Sequence, residues 1–451
     1  MRHPVDVTGL KVVVVGLGSS GVSAARLLQT KRARVVANDA SPRDALSAQA
    51  RALETAGIEL VSGEHPIALF AAADLVVMSP GVPDFPELSA ATDRGCEVIS
   101  EVELASRWLS APIVLIGGTN GKSTTTELVG AMLKKAGKRV FVGGNLGVPL
   151  SEAVGQDFEA LVVEISSFQA ERSKCLHAKV HALLNVTEDH LDRHHTFEAY
   201  ADAKGNPFVP MQPEDVAVVP HGDAVVAAQA ARGKARIVTF GATPLAQVGV
   251  DGPDIVDRST GSRYPISSLR LRGSHNLTNA CAAIAVASSM GVSPDAILAT
   301  LTSFEGLPHR TVFVAALDGV NFYDDSKGTN VGATVAALSG LPEPKVVLIA
   351  GGRDKHGDYG PLVDILRERG RAVILLGEAA ERIQHAVGDV LPSRRVKSMQ
   401  EAVVCAKELA LPGDAVLLSP ACSSLDMFRD YKARGEAFVH SVRELCAGVD
   451  A

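Results

Sequence analysis

The densest run of chemically useful residues is Gly117-Gly118-Thr119-Asn120-Gly121-Lys122-Ser123-Thr124. It follows the apolar stretch Pro112-Ile113-Val114-Leu115-Ile116 and leads into Thr125-Thr126-Glu127-Leu128-Val129-Gly130-Ala131-Met132-Leu133, which has helical spacing. Strand, glycine-rich turn and helix in that order let backbone N–H groups and a helix N-terminus cradle phosphate. Lys122 would set a point charge on the β- and γ-phosphates, and the Ser123 hydroxyl would ligate Mg2+. Strict Walker A spacing asks for glycine at 116, where the chain has Ile116, so this loop is one residue shorter than the standard form. The run in its strand–helix setting predicts a nucleotide site.

A second glycine-rich turn, Gly16-Leu17-Gly18-Ser19-Ser20-Gly21, joins the β-branched run Lys11-Val12-Val13-Val14-Val15 to the helical stretch Val22–Leu28. Another strand, Arg34-Val35-Val36-Ala37-Asn38, then ends on Asp39, where a ribose-reading carboxylate belongs. The fingerprint alone favours NAD(P); the same cradle could hold another diphosphate, such as the UDP half of a nucleotide sugar. Two further groups close apolar runs: Glu164-Ile165-Ser166-Ser167-Phe168-Gln169, and Asn185-Val186-Thr187-Glu188-Asp189-His190-Leu191-Asp192-Arg193-His194. Each alone reads as a solvated loop. Beside a phosphate loop they become candidates for Mg2+, which takes oxygen ligands and tolerates an occasional His.

The elements that must position these groups form three α/β segments. The first runs to about residue 110 and includes the strand and turn Asp74-Leu75-Val76-Val77-Met78-Ser79-Pro80-Gly81. The second, 111–307, adds strand-like runs at Ala160–Glu164 and His181–Val186. The third, 308–451, adds Lys345–Ala350, Ala372–Leu376 and Ala415–Leu418. The expected fold class is α/β in three domains, each an open, mostly parallel sheet with helices: Rossmann-like, then P-loop ATPase-like, then Rossmann-like. A length of 451 residues suits that count. The net charge of -7 gives no reason to expect nucleic acid or an anionic membrane as partner. Six scattered cysteines without a Cys-x-x-Cys pair argue against zinc and a disulfide framework. With no signal-like N-terminus and no run of about 18 apolar residues, the chain reads as cytoplasmic.

Two phosphate cradles in different domains suit an enzyme that binds ATP and a second anionic substrate better than a dehydrogenase. Together with Asn145-Leu146-Gly147, His275-Asn276 and Leu307-Pro308-His309-Arg310, the motifs above resemble, in order and over essentially the whole chain, the Mur ligases. Those are ATP-dependent amide-forming enzymes of peptidoglycan synthesis. Asp324-Asp325-Ser326-Lys327-Gly328-Thr329-Asn330 looks like the signature of the branch that adds D-glutamate. Gly351-Gly352-Arg353-Asp354-Lys355 and Ser419-Pro420-Ala421-Cys422-Ser423-Ser424-Leu425-Asp426 are similar to further parts of it.

The resemblance implies a monomeric ligase that joins UDP-MurNAc-L-Ala to D-glutamate through an acyl phosphate, with ATP and two Mg2+ ions. It implies that Ser19, Ser20, Asp39, Ser79, Gly81, Asn145 and Ser166 hold the UDP-sugar. Gly118, Thr119, Asn120, Gly121, Lys122, Ser123, Thr124, Asn276, Asn279, Arg310 and Asp325 would bind ATP, with Arg310 on the γ-phosphate. Ser123, Glu164, His190 and Lys204 would serve the metals, and Lys122, His190, Lys204 and Arg310 catalysis. Lys327, Thr329, Lys355, Ser424, Leu425 and Tyr431 would receive D-glutamate; Phe often stands at the Tyr431 position in relatives, so its phenol is dispensable.

In this family a lysine matching Lys204 is carbamylated by CO2 and helps hold the second Mg2+. Here the usual basic and apolar helical continuation is replaced by Gly205-Asn206-Pro207-Phe208, predicted to end the helix. The bland alternative for Lys204 is a surface lysine. Either His190 or a phosphate oxygen could deprotonate the incoming amine. The rival readings are folylpolyglutamate synthesis, an NAD(P)-dependent oxidoreductase and a catalytically silent binding protein.

Overall fold

In a computed structural model the described residues are 6–145, 147–271, 273–354 and 358–449. Lys355 of the expected glutamate set lies outside them. The chain forms two compact units. Residues up to 186, with 198–268 and 279–302, make the first; 187–197, 269–278 and 303 onward make the second.

The first unit holds two sheets. One has the order Glu59–Ser62, Arg34–Asp39, Lys11–Val15, Leu75–Met78, Glu97–Ser100, with every neighbouring pair parallel. Val12 to Val15 are all fully buried, which is why this run reads as apolar without alternation. The chain leaves Lys11–Val15 toward one neighbour and later returns to its other side. That reversal opens a crevice beside the Gly16 turn, where doubly wound sheets bind ligands.

The second sheet has nine strands. Val140–Gly144, Ala160–Glu164, Ile113–Gly117, Val180–Leu183, Val216–Pro220, Arg236–Gly241 and Val248–Asp251 run parallel. Asp254–Asp257 and Ser262–Pro265 then add an antiparallel edge, through turns with left-handed Gly252 and Gly261. The strand expected over His181–Val186 stops at Leu183. Past Leu183 the backbone still bonds to the Gly117–Thr119 turn, Leu184 N–H donating to Gly117 O and Thr119 N–H to Asn185 O (both 3.0 Å), but without a regular ladder.

The second unit carries the third sheet, in the order Val312–Leu317, Val320–Asp324, Ala415–Leu418, Val346–Gly351, Gly370–Leu376, Ser393–Arg395. Only the first pair is antiparallel. Among the described residues no helix is long and apolar enough to cross a membrane.

Candidate active site

Within the first unit the phosphate loop leaves Ile113–Gly117 and enters the helix Lys122–Lys135. Gly118 (φ 143°) and Gly121 (φ 83°) sit in backbone regions that side chains disfavour. A Cβ on Gly121 would come within 2.3 Å of Asn279 Oδ1, so Asn279 packs directly on the loop. The loop is held open by Asn185. Its Oδ1 accepts the N–H groups of Thr119 (3.1 Å) and Asn120 (2.8 Å), and its Nδ2 donates to the Asn120 carbonyl (3.1 Å). Asn185 was visible only as the first letter of a motif. Its clamp on a loop 65 residues earlier has no local signal.

No side chain caps this helix at Gly121, and none caps Ser19–Thr30 at Gly18. By contrast Ser47, Ser100 and Ser293 cap ordinary helices of the same unit. An uncapped N-terminus behind a glycine turn leaves N–H groups for an anion.

Two ammonium groups converge on one carbonyl of this loop. Lys122 Nζ donates to Gly118 O (2.9 Å) and Thr119 O (2.8 Å), and Lys204 Nζ donates to Gly118 O (2.7 Å). Lys204 is only 4% exposed, with its ammonium 4.7 Å from the Tyr200 ring centroid. A surface lysine it is not. The helix Phe197–Gly205 carries Lys204 in its last turn and ends, as expected, at the Gly205-Asn206-Pro207 break, tightening into the 3-10 turn Asn206–Phe208.

Glu164 ends the strand beside Ile113–Gly117, in register with Ile116. One carboxylate oxygen accepts Asn145 Nδ2 at 2.8 Å; the other is buried without a hydrogen-bond partner. A carboxylate oxygen left this way asks for a cation. With the buried Ser123 hydroxyl, it fits the oxygen donors that Mg2+ selects. Ser166 is engaged in a capping box with Gln169, so its hydroxyl already serves the helix Ser167–Glu171.

In the first sheet, Asp39 is drawn into its own turn. Its two oxygens accept the N–H of Leu17 (2.7 Å) and of Ser41 (2.8 Å). Ser79 Oγ donates to Gly16 O at 2.7 Å, while Ser19 and Gly81 are exposed and Ser20 half-buried. Ser79 and Asp39 therefore shape the cradle as well as border it.

The second unit carries the remaining expected residues. His190 (φ 54°) precedes the short helix Leu191–His194. Neighbouring Asp189 accepts Asn330 Nδ2 at 3.1 Å, which ties this segment to the Asp324–Asn330 turn. Asn276 lies in this unit and Asn279 in the first. Arg310 is half-buried between two left-handed residues, His309 (φ 61°) and Thr311 (φ 51°). For a β-branched threonine that backbone is strained. It is held by Asp325 Oδ1, which accepts the Thr311 N–H (3.1 Å) and hydroxyl (3.2 Å). His309 Nδ1 lies 2.6 Å from Asp324 Oδ2. Burial pushes Asp325 up to about 7, opposed by the Ser419 hydroxyl and the Arg310 charge. Lys327 Nζ stands 3.9 Å from the Tyr431 ring centroid, a cation–π contact. Thr329 N–H donates to Lys327 O, Ser424 is buried, and Leu425 is 60% exposed.

Three family models match in succession. The Mur ligase MurD-like N-terminal domain covers residues 10–100, the Mur ligase middle domain 116–287, and the Mur ligase glutamate ligase domain 309–422. A UDP-N-acetylmuramoylalanine–D-glutamate ligase from Geobacter metallireducens is 44% identical over 98% of this chain and 99% of its own. The chain belongs to the Mur ligase family. Another relative of the same name, from Geotalea uraniireducens, is 44% identical over 97% of this chain and 98% of its own.

Solved structures agree in fold with this Mur ligase. A pseudomurein peptide ligase type C from Methanothermus fervidus matches with TM-score 0.61 and 19% identity, covering 97% of this chain and 100% of its own. The UDP-N-acetylmuramate-alanine ligase of Thermotoga maritima also gives 0.61 and 19%, over 96% and 99%. A Mycobacterium tuberculosis folylpolyglutamate synthase covers 76% of this chain and 92% of its own, with TM-score 0.58 and 15% identity. That rival shares fold over part of the length, whereas the 44% relatives match it nearly end to end. The NAD(P) reading of the Gly16 turn gives way to the Mur ligase N-terminal domain.

Proposed function

We propose that this Mur ligase joins D-glutamate to UDP-N-acetylmuramoyl-L-alanine at the expense of ATP, as a cytoplasmic monomer. The observation that carries the reading is its near end-to-end likeness to ligases named for that reaction. Domains 1–110, 111–307 and 308–451 take the UDP-sugar, ATP and the amino acid respectively.

A carboxylate does not accept an amine, because oxide would have to leave. Phosphorylation by ATP gives an acyl phosphate with a good leaving group, but the transfer brings two anions together. Lys122 on the loop and Arg310 on its clamped turn supply the neutralising charge. The uncapped N–H groups after Gly121 hold the phosphates, framed by Asn276, Asn279 and Asp325. Mg2+, when bound, lowers the charge on the phosphate oxygens. Ser123, Glu164 and His190 are the residues that would hold it, joined by Lys204 if that lysine is carbamylated. Ser19, Ser20, Asp39, Ser79, Gly81, Asn145 and Ser166 line the UDP-sugar side. Lys327 faces the second carboxylate of D-glutamate, with Thr329, Ser424, Leu425 and Tyr431 around it; Lys355, outside the described residues, keeps its role in that set from the resemblance alone.

The test is phosphate release from ATP with UDP-MurNAc-L-Ala and, in turn, D-glutamate, L-alanine and diaminopimelate. Turnover should require D-glutamate, and the UDP-sugar but not NADH should raise the melting temperature by mass action. Equal turnover with another amino acid, or stabilisation by NADH alone, would overturn the assignment.

A further inference from the structure

Three loops of the third sheet follow the neighbouring parallel strands Val320–Asp324, Ala415–Leu418 and Val346–Gly351. Beneath them lies Arg434, in the helix Tyr431–Val449. It is 1% exposed and the largest fully buried side chain among the described residues. Its guanidinium donates to two of these loops and lies close to the third. Nε donates to Ser326 Oγ (3.1 Å) and Nη2 to Ser326 O (2.8 Å), both on the loop of Lys327. Nη1 donates to Cys422 O (3.2 Å), on the loop of Ser424 and Leu425. From the remaining loop Gly352 approaches so closely that a Cβ there would lie 3.1 Å from Nη1 and 2.2 Å from Ser423 O.

Those three acceptors are uncharged. Burying a guanidinium against them is costly, and burial pulls its pKa down to about 10 although Asp426, Asp324 and Asp325 add compensating charge. An apolar residue would fill the same space more cheaply. What an apolar residue cannot do is hold separate loops with a rigid planar fork of donors. The hold extends to the glutamate-facing side chains. Ser326 Oγ, which accepts from Arg434, donates to Tyr431 O at 2.8 Å, and the next residue, Lys327, stands over the Tyr431 ring. Across the second and third loops, Tyr359 Oη lies 3.2 Å from Cys422 Sγ and donates to Asp354 Oδ1 at 3.1 Å.

We infer that Arg434 is a positioning residue for the amino-acid site, fixing the spacing of the Asp324–Asn330, Gly352–Asp354 and Ala421–Leu425 loops without touching the substrate. This rests on the reading that those loops receive D-glutamate. The removal of one charge-assisted anchor then loosens glutamate and leaves the other substrates alone.

The test uses the full-length enzyme and steady-state phosphate release, varying D-glutamate, ATP and UDP-MurNAc-L-Ala in turn. Arg434→Lys keeps the charge but loses the fork, and should raise the D-glutamate KM about tenfold while the other two stay within about twofold. In Arg434→Ala, added guanidinium should lower the D-glutamate KM where equal ammonium does not. A folded Arg434→Lys enzyme with a wild-type D-glutamate KM, or an equal rise in all three KM values, would overturn the inference. If Arg434 variants fail to fold, Ser326→Ala decides: it leaves the cation in place, and an unchanged D-glutamate KM again overturns it. A wild-type enzyme indifferent to D-glutamate removes the parent reading, an outcome distinct from failure of the variants.

Discussion

Lys204 shows what a single residue's surroundings add to its type. In the chain it stands before Gly205-Asn206-Pro207, a departure from the family that leaves a surface lysine open as the alternative. In the fold it is 4% exposed and shares the Gly118 carbonyl with Lys122. Two ammonium groups on one oxygen repel each other, so the arrangement favours either incoming phosphate or loss of one positive charge. A carbamate on Lys204 would supply the latter and add oxygen donors of the kind Mg2+ takes. Lys204→Ala should then be nearly inactive, and small carboxylic acids should partly restore turnover by filling the vacated anionic place. An added 13C-carbonate signal on the wild-type protein, lost in the variant, checks the modification independently of activity. Near-normal turnover of the alanine variant in CO2-depleted buffer would remove the carbamate and leave Lys204 as a loop-bracing cation.

Elements were legible where their signals are local. The runs Lys11–Val15, Ile113–Gly117 and Ala415–Leu418 are continuous and apolar because both faces of a parallel strand are covered. The glycine turns were legible because a left-handed backbone at Gly16 and Gly121 excludes most side chains. What stayed hidden depends on distant partners: the Asn185 clamp on Thr119 and Asn120, and the Arg434 fork reaching back 108 residues to Ser326. The antiparallel strands Asp254–Asp257 and Ser262–Pro265 were missed because each is only four residues long, the first flanked by aspartates and the second, at the sheet edge, with only Tyr264 buried.

The phosphate loop offers a test at this scale. Gly121 and Gly137 have nearly the same φ, 83° and 82°, but a Cβ on Gly121 meets Asn279 Oδ1 at 2.3 Å while Gly137 faces open space. Alanine at either position should cost about 1–2 kcal/mol for the left-handed backbone. Gly121→Ala should lose more, and lose nucleotide affinity too, because Asn279 must move. Equal losses in urea melts, with unchanged nucleotide binding, would show that Asn279 yields freely.

At the scale of the whole chain, the two sheets of the first unit are joined through flanking elements: the helices Ser19–Thr30 and Glu101–Ser106 meet the 3-10 turn Leu150–Ala153 in a largely buried polar seam. Ser23, in the helix behind the Gly16 turn, donates to Glu152 Oε1 at 2.6 Å and accepts from Ser151 Oγ at 2.7 Å. Glu101, at the start of the helix after Glu97–Ser100, accepts the Ser151 N–H at 2.6 Å, and its other oxygen is buried without a partner. Burial pushes the Glu101 carboxyl up to about 7; the Ser151 hydrogen bonds oppose the rise and the Glu152 charge adds to it. None of this was legible in the sequence, since Ser23 and Ser151 are 128 residues apart. A raised pKa means the folded state holds the proton more tightly than the unfolded chain. The stability this group contributes is therefore full below about pH 4.5 and lost as pH rises through about 7. Glu101→Gln cannot ionise, so its stability relative to wild type should be more favourable at pH 8 than at pH 5. The difference should be on the order of a few kcal/mol, whatever constant offset the amide introduces. Urea melts of both proteins at the two pH values measure it. A difference independent of pH would mean that Glu101 is charged throughout and that the seam tolerates a buried carboxylate.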